Sequence, residues 1–365
     1  GRFPNDTIDR WVIDPMSAAI ESKLRDHRQN LAFADFAYSF FLNAIDVNGM
    51  FGPNKPTGYE AILFVAVCST LLKSDPATTR LSLIRRYQIS LDKAPDFAKF
   101  NMQIDQVFDN PALTKLSHLI DRHGAPFRII VRAINSSEKF DQHLLSEKAF
   151  LGPFDAAISE SYATISKNIN RGIVRSVIFL IITKFIIGIA AEVPYDLMVH
   201  GKIIWIALIV NLITPPLYMI ALRMTLVMPS ATNTRALTRE ATRILYEPIP
   251  TKPFLGRRTG RKFGAGYNIV YALLIMAVFG GVGYLLVKFA HFEWVHLIIF
   301  FVFISTASFL GFRLSRSIRE IEVGEEAQTS VTMLRDFFYM PFVAVGRRIS
   351  EILFRGSWTC LLSCR

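Results

Sequence analysis

The chain has 365 residues, 51% of them hydrophobic and 19% charged, with a net charge of +11 and a mean hydropathy of +0.32. Soluble globular chains rarely combine that hydropathy with long uncharged runs, and three cysteines (Cys68, Cys360 and Cys364) are too few for a disulfide scaffold. Residues 1–150 hold 18 Lys/Arg against 17 Asp/Glu and residues 151–365 hold 23 against 13, so the basic excess travels with the hydrophobic half; that is the pattern of membrane topology, and no nucleic-acid partner is expected.

The chain opens on "GRFPN" with no initiator Met, as a processed chain or a fragment does. Residues 1–165 read as a soluble, cytoplasmic, all-helical domain of six or seven helices. Asp14-Pro15, Asp75-Pro76 and Asn110-Pro111 each place a capping oxygen before a proline at the first helical position. Gly124 with Pro126 ends the helix that Asn110 starts. "NLAFADFAYSFFLNAI" and "YEAILFVAVCSTLL" read as core helices; the second is too short and too apolar for anything but burial. "DVNGMFGPNKPTG" (residues 46–58) starts like a calcium loop, but Met50, Phe51 and Thr57 stand where the pattern needs Asp/Asn, Gly and Glu. It reads as a Gly/Pro-rich loop between helices.

Four stretches reach the roughly 20 apolar residues that a bilayer crossing needs: residues 173–191, 203–224, 269–288 and 294–312. Together they make a transmembrane domain over residues 166–318. Lys167, Arg171 and Arg175 precede or enter the first span, Arg313, Arg316 and Arg319 follow the fourth, and the 225–268 connection is rich in Arg and Lys. The other two connections hold one lysine each, Lys202 and Lys288. Basic flanks stay on the cytoplasmic side, so both termini and the 225–268 loop are expected inside, in a plasma (inner) membrane, with Trp205, Tyr195 and Trp294 near the outer boundary. The outer connection after the first span carries Glu192, Asp196 and His200, with Pro194 as a helix breaker. It reads as a solvated turn, with a cation-attracting mouth formed by the two carboxylates as the sharper alternative.

Lys184 and Asn211 lie inside the first and second spans, at a common depth about 3–4 Å outward of the midplane by helical rise. A lysine there costs roughly 2.5–3.5 kcal/mol on insertion scales. Three residues beyond Asn211 the sequence reads Thr214-Pro215-Pro216, and two prolines remove the partners of the Asn211 and Leu212 carbonyls. The expectation is that Lys184 binds those carbonyls and the Asn211 side chain, either as a lock between two helices or as part of an ion or proton path. Ala277/Gly281 and Ala307/Gly311 are small-xxx-small pairs that favour close helix approach. "GRRTGRKF" (residues 256–263) fails the phosphate-loop spacing; Arg257, Arg258, Arg261 and Lys262 instead read as a basic loop lying on anionic lipid headgroups. Residues 319–365 read as a cytoplasmic or interfacial amphipathic segment bent at Pro341.

No nucleophile–base constellation and no metal-ligand spacing can be argued, so no catalytic residue, metal or cofactor is expected. The fold class is an all-α, multi-pass α-helical membrane protein with four transmembrane helices and an N-terminal soluble helical bundle. The leading functional expectation is a non-enzymatic assembly, scaffold or secretion-associated component, in a homo-oligomer or a membrane protein complex. The alternative is a small transporter or channel using Lys184, Asn211 and the Pro215-Pro216 kink.

Overall fold

The computed structural model describes residues 5–24, 28–53, 55–89, 94–136, 143–248, 253, 255, 265–323 and 339–351. Its described elements are all helical, and the one β-type contact among them is an isolated bridge between Ile45 and Leu255. Four helices are long and apolar enough to cross a membrane: Glu147–His200, Trp205–Thr225, Ala272–Ala290 and Trp294–Arg319. Chain contacts divide the molecule into two units. One holds Gly1–Ser161, Ser230–Gly260 and Glu320–Gly324; the other holds Tyr162–Pro229, Arg261–Arg319 and Glu325–Arg365.

The first unit is built around the helix Tyr59–Leu71, whose residues Ile62 to Cys68 are all at most 2% exposed. A helix apolar on every face has to be central, and the helices Arg28–Ala44, Pro76–Arg86, Ala94–Phe108 and Pro111–His123 pack around it. Phe127 fills the adjoining space, with its ring 5.2 Å from Phe41 and 5.3 Å from Phe40. The caps are specific. Asp75 accepts from the Thr78 N–H at 2.9 Å and Asn110 from the Ala112 N–H at 2.9 Å, each followed by proline. Gly124 does end the helix Pro111–His123, but at φ −84°, so it needs no left-handed backbone. Its reason is space, because a Cβ there would stand 2.6 Å from Leu71 Cδ2. The 46–58 stretch is not wholly loop. Asp46 caps the one-turn helix Val47–Phe51 through the Gly49 N–H, so its carboxylate is spent on structure.

The helix Ala231–Tyr246, from the connection between the second and third spans, belongs to this unit. Asn233 is 2% exposed and bridges the Ile321 carbonyl (3.0 Å) and the Val323 N–H (2.8 Å). Thr238 donates to Asp155, and Tyr246 donates to the Leu144 carbonyl. Glu320 meets Lys73 at 2.7 Å, and Arg128 donates to its carbonyl.

In the second unit the two most intimately packed helices are Trp205–Thr225 and Trp294–Arg319. Ala307 and Gly311 lie on the buried stripe of the latter, and a Cβ on Gly311 would come 2.7 Å from Leu222 Cδ1. The Ala277/Gly281 pair is exposed instead. Large apolar side chains stand outward on the long helices, among them Ile178, Phe185, Ile213, Leu273, Met276 and Ile298; in water such a surface is a liability, and against lipid tails it is the expected exterior. Residues 339–351 form a further helix in this unit. Tyr339, Phe342 and Val343 are buried, the Tyr339 hydroxyl donates to the Ser308 carbonyl at 2.7 Å, and Gly346 closes on the backbone of Ser305. The amphipathic pattern therefore docks an apolar face on the fourth span, with Arg347 and Arg348 exposed and Pro341 in its first described turn. Residues 324–338 and 352–365 of the expected amphipathic segment lie outside the described residues.

Candidate functional site: a buried polar cluster in the spanning unit

The helix Glu147–Ile187 does not stop at the end of the first apolar run. It passes through a π-helical turn, Gly188–Glu192, into the helix Val193–His200. Pro194 supplies the cause: it has no N–H to give the Ala190 carbonyl, and its ring crowds that carbonyl, so the turn before it widens. A π-turn inserts one residue into the helical count. Glu192, eight residues after Lys184, is thereby brought to the phase of an i,i+7 neighbour, about two turns or roughly 10 Å along the axis. Lys184 spans that distance and donates to Glu192 Oε1; the two side chains are 1% and 0% exposed. The ammonium also sits 4.9 Å from the centre of the Phe303 ring.

Asn211 is 0% exposed. Its amide donates to Glu192 Oε1 and to the His296 carbonyl, both at 3.2 Å. It thus ties the first, second and fourth spans at one point. Asp196, also fully buried, accepts the Ile204 N–H at 2.9 Å through Oδ2. Ile204 is the N-cap residue of the helix Trp205–Thr225, where the helix dipole favours a negative charge. The other oxygen, Oδ1, lies 3.3 Å from His296 Nε2, both side chains being 0% exposed. That contact has ion-pair distance but lacks hydrogen-bond alignment. Toward the same end of the spans, Glu293 accepts from the Tyr195 hydroxyl at 2.7 Å and meets His200 Nε2 at 2.8 Å. These two partners hold the Glu293 carboxyl below its ordinary value of 4.5. Trp205 and Trp294 are exposed at the same end of the spans.

Several of the expected site residues meet here, in a different arrangement. Lys184 and Asn211 converge, but on the Glu192 carboxylate rather than on carbonyls freed at the prolines. Pro215 and Pro216 are buried inside a helix that continues through them, with Thr214 taking up the Val210 carbonyl at 2.7 Å. Glu192 and Asp196 are the clearest correction: they are not a solvated turn but fully buried, because the π-turn keeps the segment helical and rotates both carboxylates inward. Arg257, Arg258, Arg261 and Lys262 lie outside the described residues. His296 was not singled out by the sequence. Its signal was position: with Phe300, Phe303, Ala307 and Gly311 it follows the buried stripe of its helix, and a histidine in that stripe faces protein, not lipid.

No hydrogen-bond partner is found among the described residues for Glu192 Oε2, Asp196 Oδ1, Asn211 Oδ1 or either nitrogen of His296. Burying an ion costs several kcal/mol even after relaxation. The Lys184–Glu192 pair offsets its own cost in part, whereas Asp196 has one backbone donor and an unaligned imidazole. No family model, no curated protein and no solved structure matches this chain.

Proposed function

We propose that the chain is a multi-pass protein of the plasma (inner) membrane that passes a small cation or a proton across the bilayer through this cluster. The observation that carries the reading is the burial of Lys184, Glu192, Asp196, Asn211 and His296 to 1% exposure or less inside an apolar helical unit, with polar atoms left unused. An apolar set of the same volume would hold the helices together at lower cost, and intramembrane ionisable groups mark ion and proton sites by default. The orientation has separate support. Residues 1–161, 230–260 and 320–324 share one unit, which supports assigning them to one side of a bilayer. That side carries the basic flanks, and Arg257, Arg258, Arg261 and Lys262 are assigned there to anionic headgroups.

The test is ion flux in proteoliposomes, comparing the wild type with a Lys184→Leu/Glu192→Leu double variant. Removing both charges keeps the helix contact without leaving a lone buried ion. The expected result is cation or proton flux in the wild type, lost in a folded double variant. A second reading, an assembly or scaffold component, is favoured by one observation: Asn211 ties three segments together as a lock would. It takes over if the wild type passes no ion and native membranes yield it in a stable complex.

A further inference from the structure

The cluster carries a charge that its own pairs do not close. Lys184 and Glu192 cancel each other. Asp196 is then left with one backbone N–H on Oδ2 and a histidine at 3.3 Å from Oδ1. With His296 neutral, one negative charge stays buried at 0% exposure. Either a metal cation or a proton can restore the balance. Among the described residues no group of three or more His, Cys, Asp or Glu side chains is arranged to hold a metal ion. The oxygen set is also partly spent, since Glu192 Oε1 already accepts from Lys184 and Asn211. A proton needs only the pair that is there. We infer that Asp196 and His296 form an exchangeable-proton site, so that the species moved, or the one that drives the movement, is the proton. This rests on the transport reading above and names its ion.

The step is a simple transfer. A hydronium ion at the outer end gives its proton to His296 Nε2 or Asp196 Oδ1: one O–H bond of the hydronium breaks and leaves water, one N–H or O–H bond forms on the lone pair of the acceptor, and nothing is oxidised or reduced. The groups around the pair set its response. From its own segment come Tyr195, whose ring lies 6.2 Å from the imidazole, and Glu192 with its Lys184 partner. From the second span comes the neutral Asn211 amide. Beside the fourth span lie Glu293 and the His200 that meets it. The third span and the turn after it offer the Phe292 ring at 5.9 Å, and Lys288 is exposed. The helix 339–351 holds Arg347, Arg348 and Glu351 at exposed positions. The Tyr195–Glu293–His200 group is the nearest partly exposed polar group to the pair on that side, and Glu192 Oε2, buried and without a hydrogen-bond partner among the described residues, is the next basic atom inward.

The experiment uses the full chain in sealed proteoliposomes with an internal pH dye, a potassium diffusion potential to drive flux, and sodium-22 uptake in parallel. Expected are proton flux without sodium uptake, a loss of roughly tenfold or more in Asp196→Asn and in His296→Gln, and no change in Lys288→Gln. Sodium uptake without proton flux overturns the inference and leaves the transport reading standing. Proton flux unaltered in both folded variants also overturns it. No flux of either ion sinks the transport reading and this inference with it. Because either variant can fail to fold, the wild type is also titrated by infrared difference spectroscopy. A carboxyl or imidazole proton change, absent from whichever single variant does fold, supports the site; a flat titration overturns it.

Discussion

Lys184 and Glu192 show how one buried pair can be costly to break yet cheap to replace. Removing the lysine alone leaves Glu192 charged, fully buried and held by a single amide. Lys184→Met is therefore expected to lose about 3–5 kcal/mol of stability, while the Lys184→Leu/Glu192→Leu pair stays near wild type. Unfolding in mixed micelles measures both, and a single variant as stable as the double one would mean that water reaches Glu192. Glu293 behaves differently because it stands at the surface. Its carboxyl is held below 4.5 first by the Tyr195 hydroxyl and then by His200. A folded value below the unfolded one means that the unfolded state takes up its proton first as pH falls. The contribution of Glu293 is thus complete above 4.5 and disappears as pH drops through the lower folded value. Glu293→Gln should flatten the acid limb of the stability profile there, and an unchanged limb would remove Glu293 from the outer group. At this scale the sequence discloses Lys184 and Asn211, since polar residues stand out in apolar runs. It hides Glu192, Asp196 and His296. Their inward direction depends on a π-turn forced by Pro194, and residue spacing counted at 3.6 per turn points the carboxylates elsewhere.

Helices report their surroundings through what they exclude. The helix Tyr59–Leu71 is sealed so well that the Cys68 thiol is pushed up to about 12, chiefly by burial. In a background of Cys360→Ser and Cys364→Ser, Cys68 should react with iodoacetamide at pH 8 roughly a thousandfold more slowly in the native protein than after unfolding, from thiolate fraction alone. Equal rates would show that the helix is not central. The Asp75-Pro76 and Asn110-Pro111 caps, and the unbroken apolar run of this helix, made these elements readable from sequence, because caps and burial are local facts; Asp14-Pro15 instead lies within a continuous helical run and caps nothing. The helix 339–351 was readable only as amphipathic, since periodicity gives a buried face but not its partner. The partners are the fourth span, where Gly346 marks the contact, and the third, through Phe279 against Phe342. Gly346→Ala would push a methyl to within 2.9 Å of Phe309 Cβ as well as into the Ser305 backbone. Proteolysis within residues 339–351 should then rise several-fold, as expected when docking costs more than a surface helix can recover. Unchanged protection would mean that the helix is held elsewhere.

For the whole molecule the decisive question is which ends of the four spans share a side. Two arguments of different origin bear on it. Charge counting assigns the N-terminal region, the 225–268 connection and the residues after the fourth span to the cytoplasm. Packing groups residues 1–161, 230–260 and 320–324 in one unit, through contacts such as Asn233 with Ile321 and Val323 that no charge rule could anticipate. An even number of crossings between each pair of these segments is consistent with both, and an odd number between any pair is consistent with neither. In a background of Cys68→Ser, Cys360→Ser and Cys364→Ser, a cysteine at Glu293, half-buried beside Trp294, should react with a membrane-impermeant maleimide added to intact cells. A cysteine at Arg239 in the helix Ala231–Tyr246 should react only after the membrane is opened. Labelling of Arg239→Cys in sealed cells would invert the topology and turn the Asp196–His296 pair toward the cytoplasm. The proton site would survive that result with its direction reversed, whereas labelling of both positions from outside would remove the spans on which the site depends.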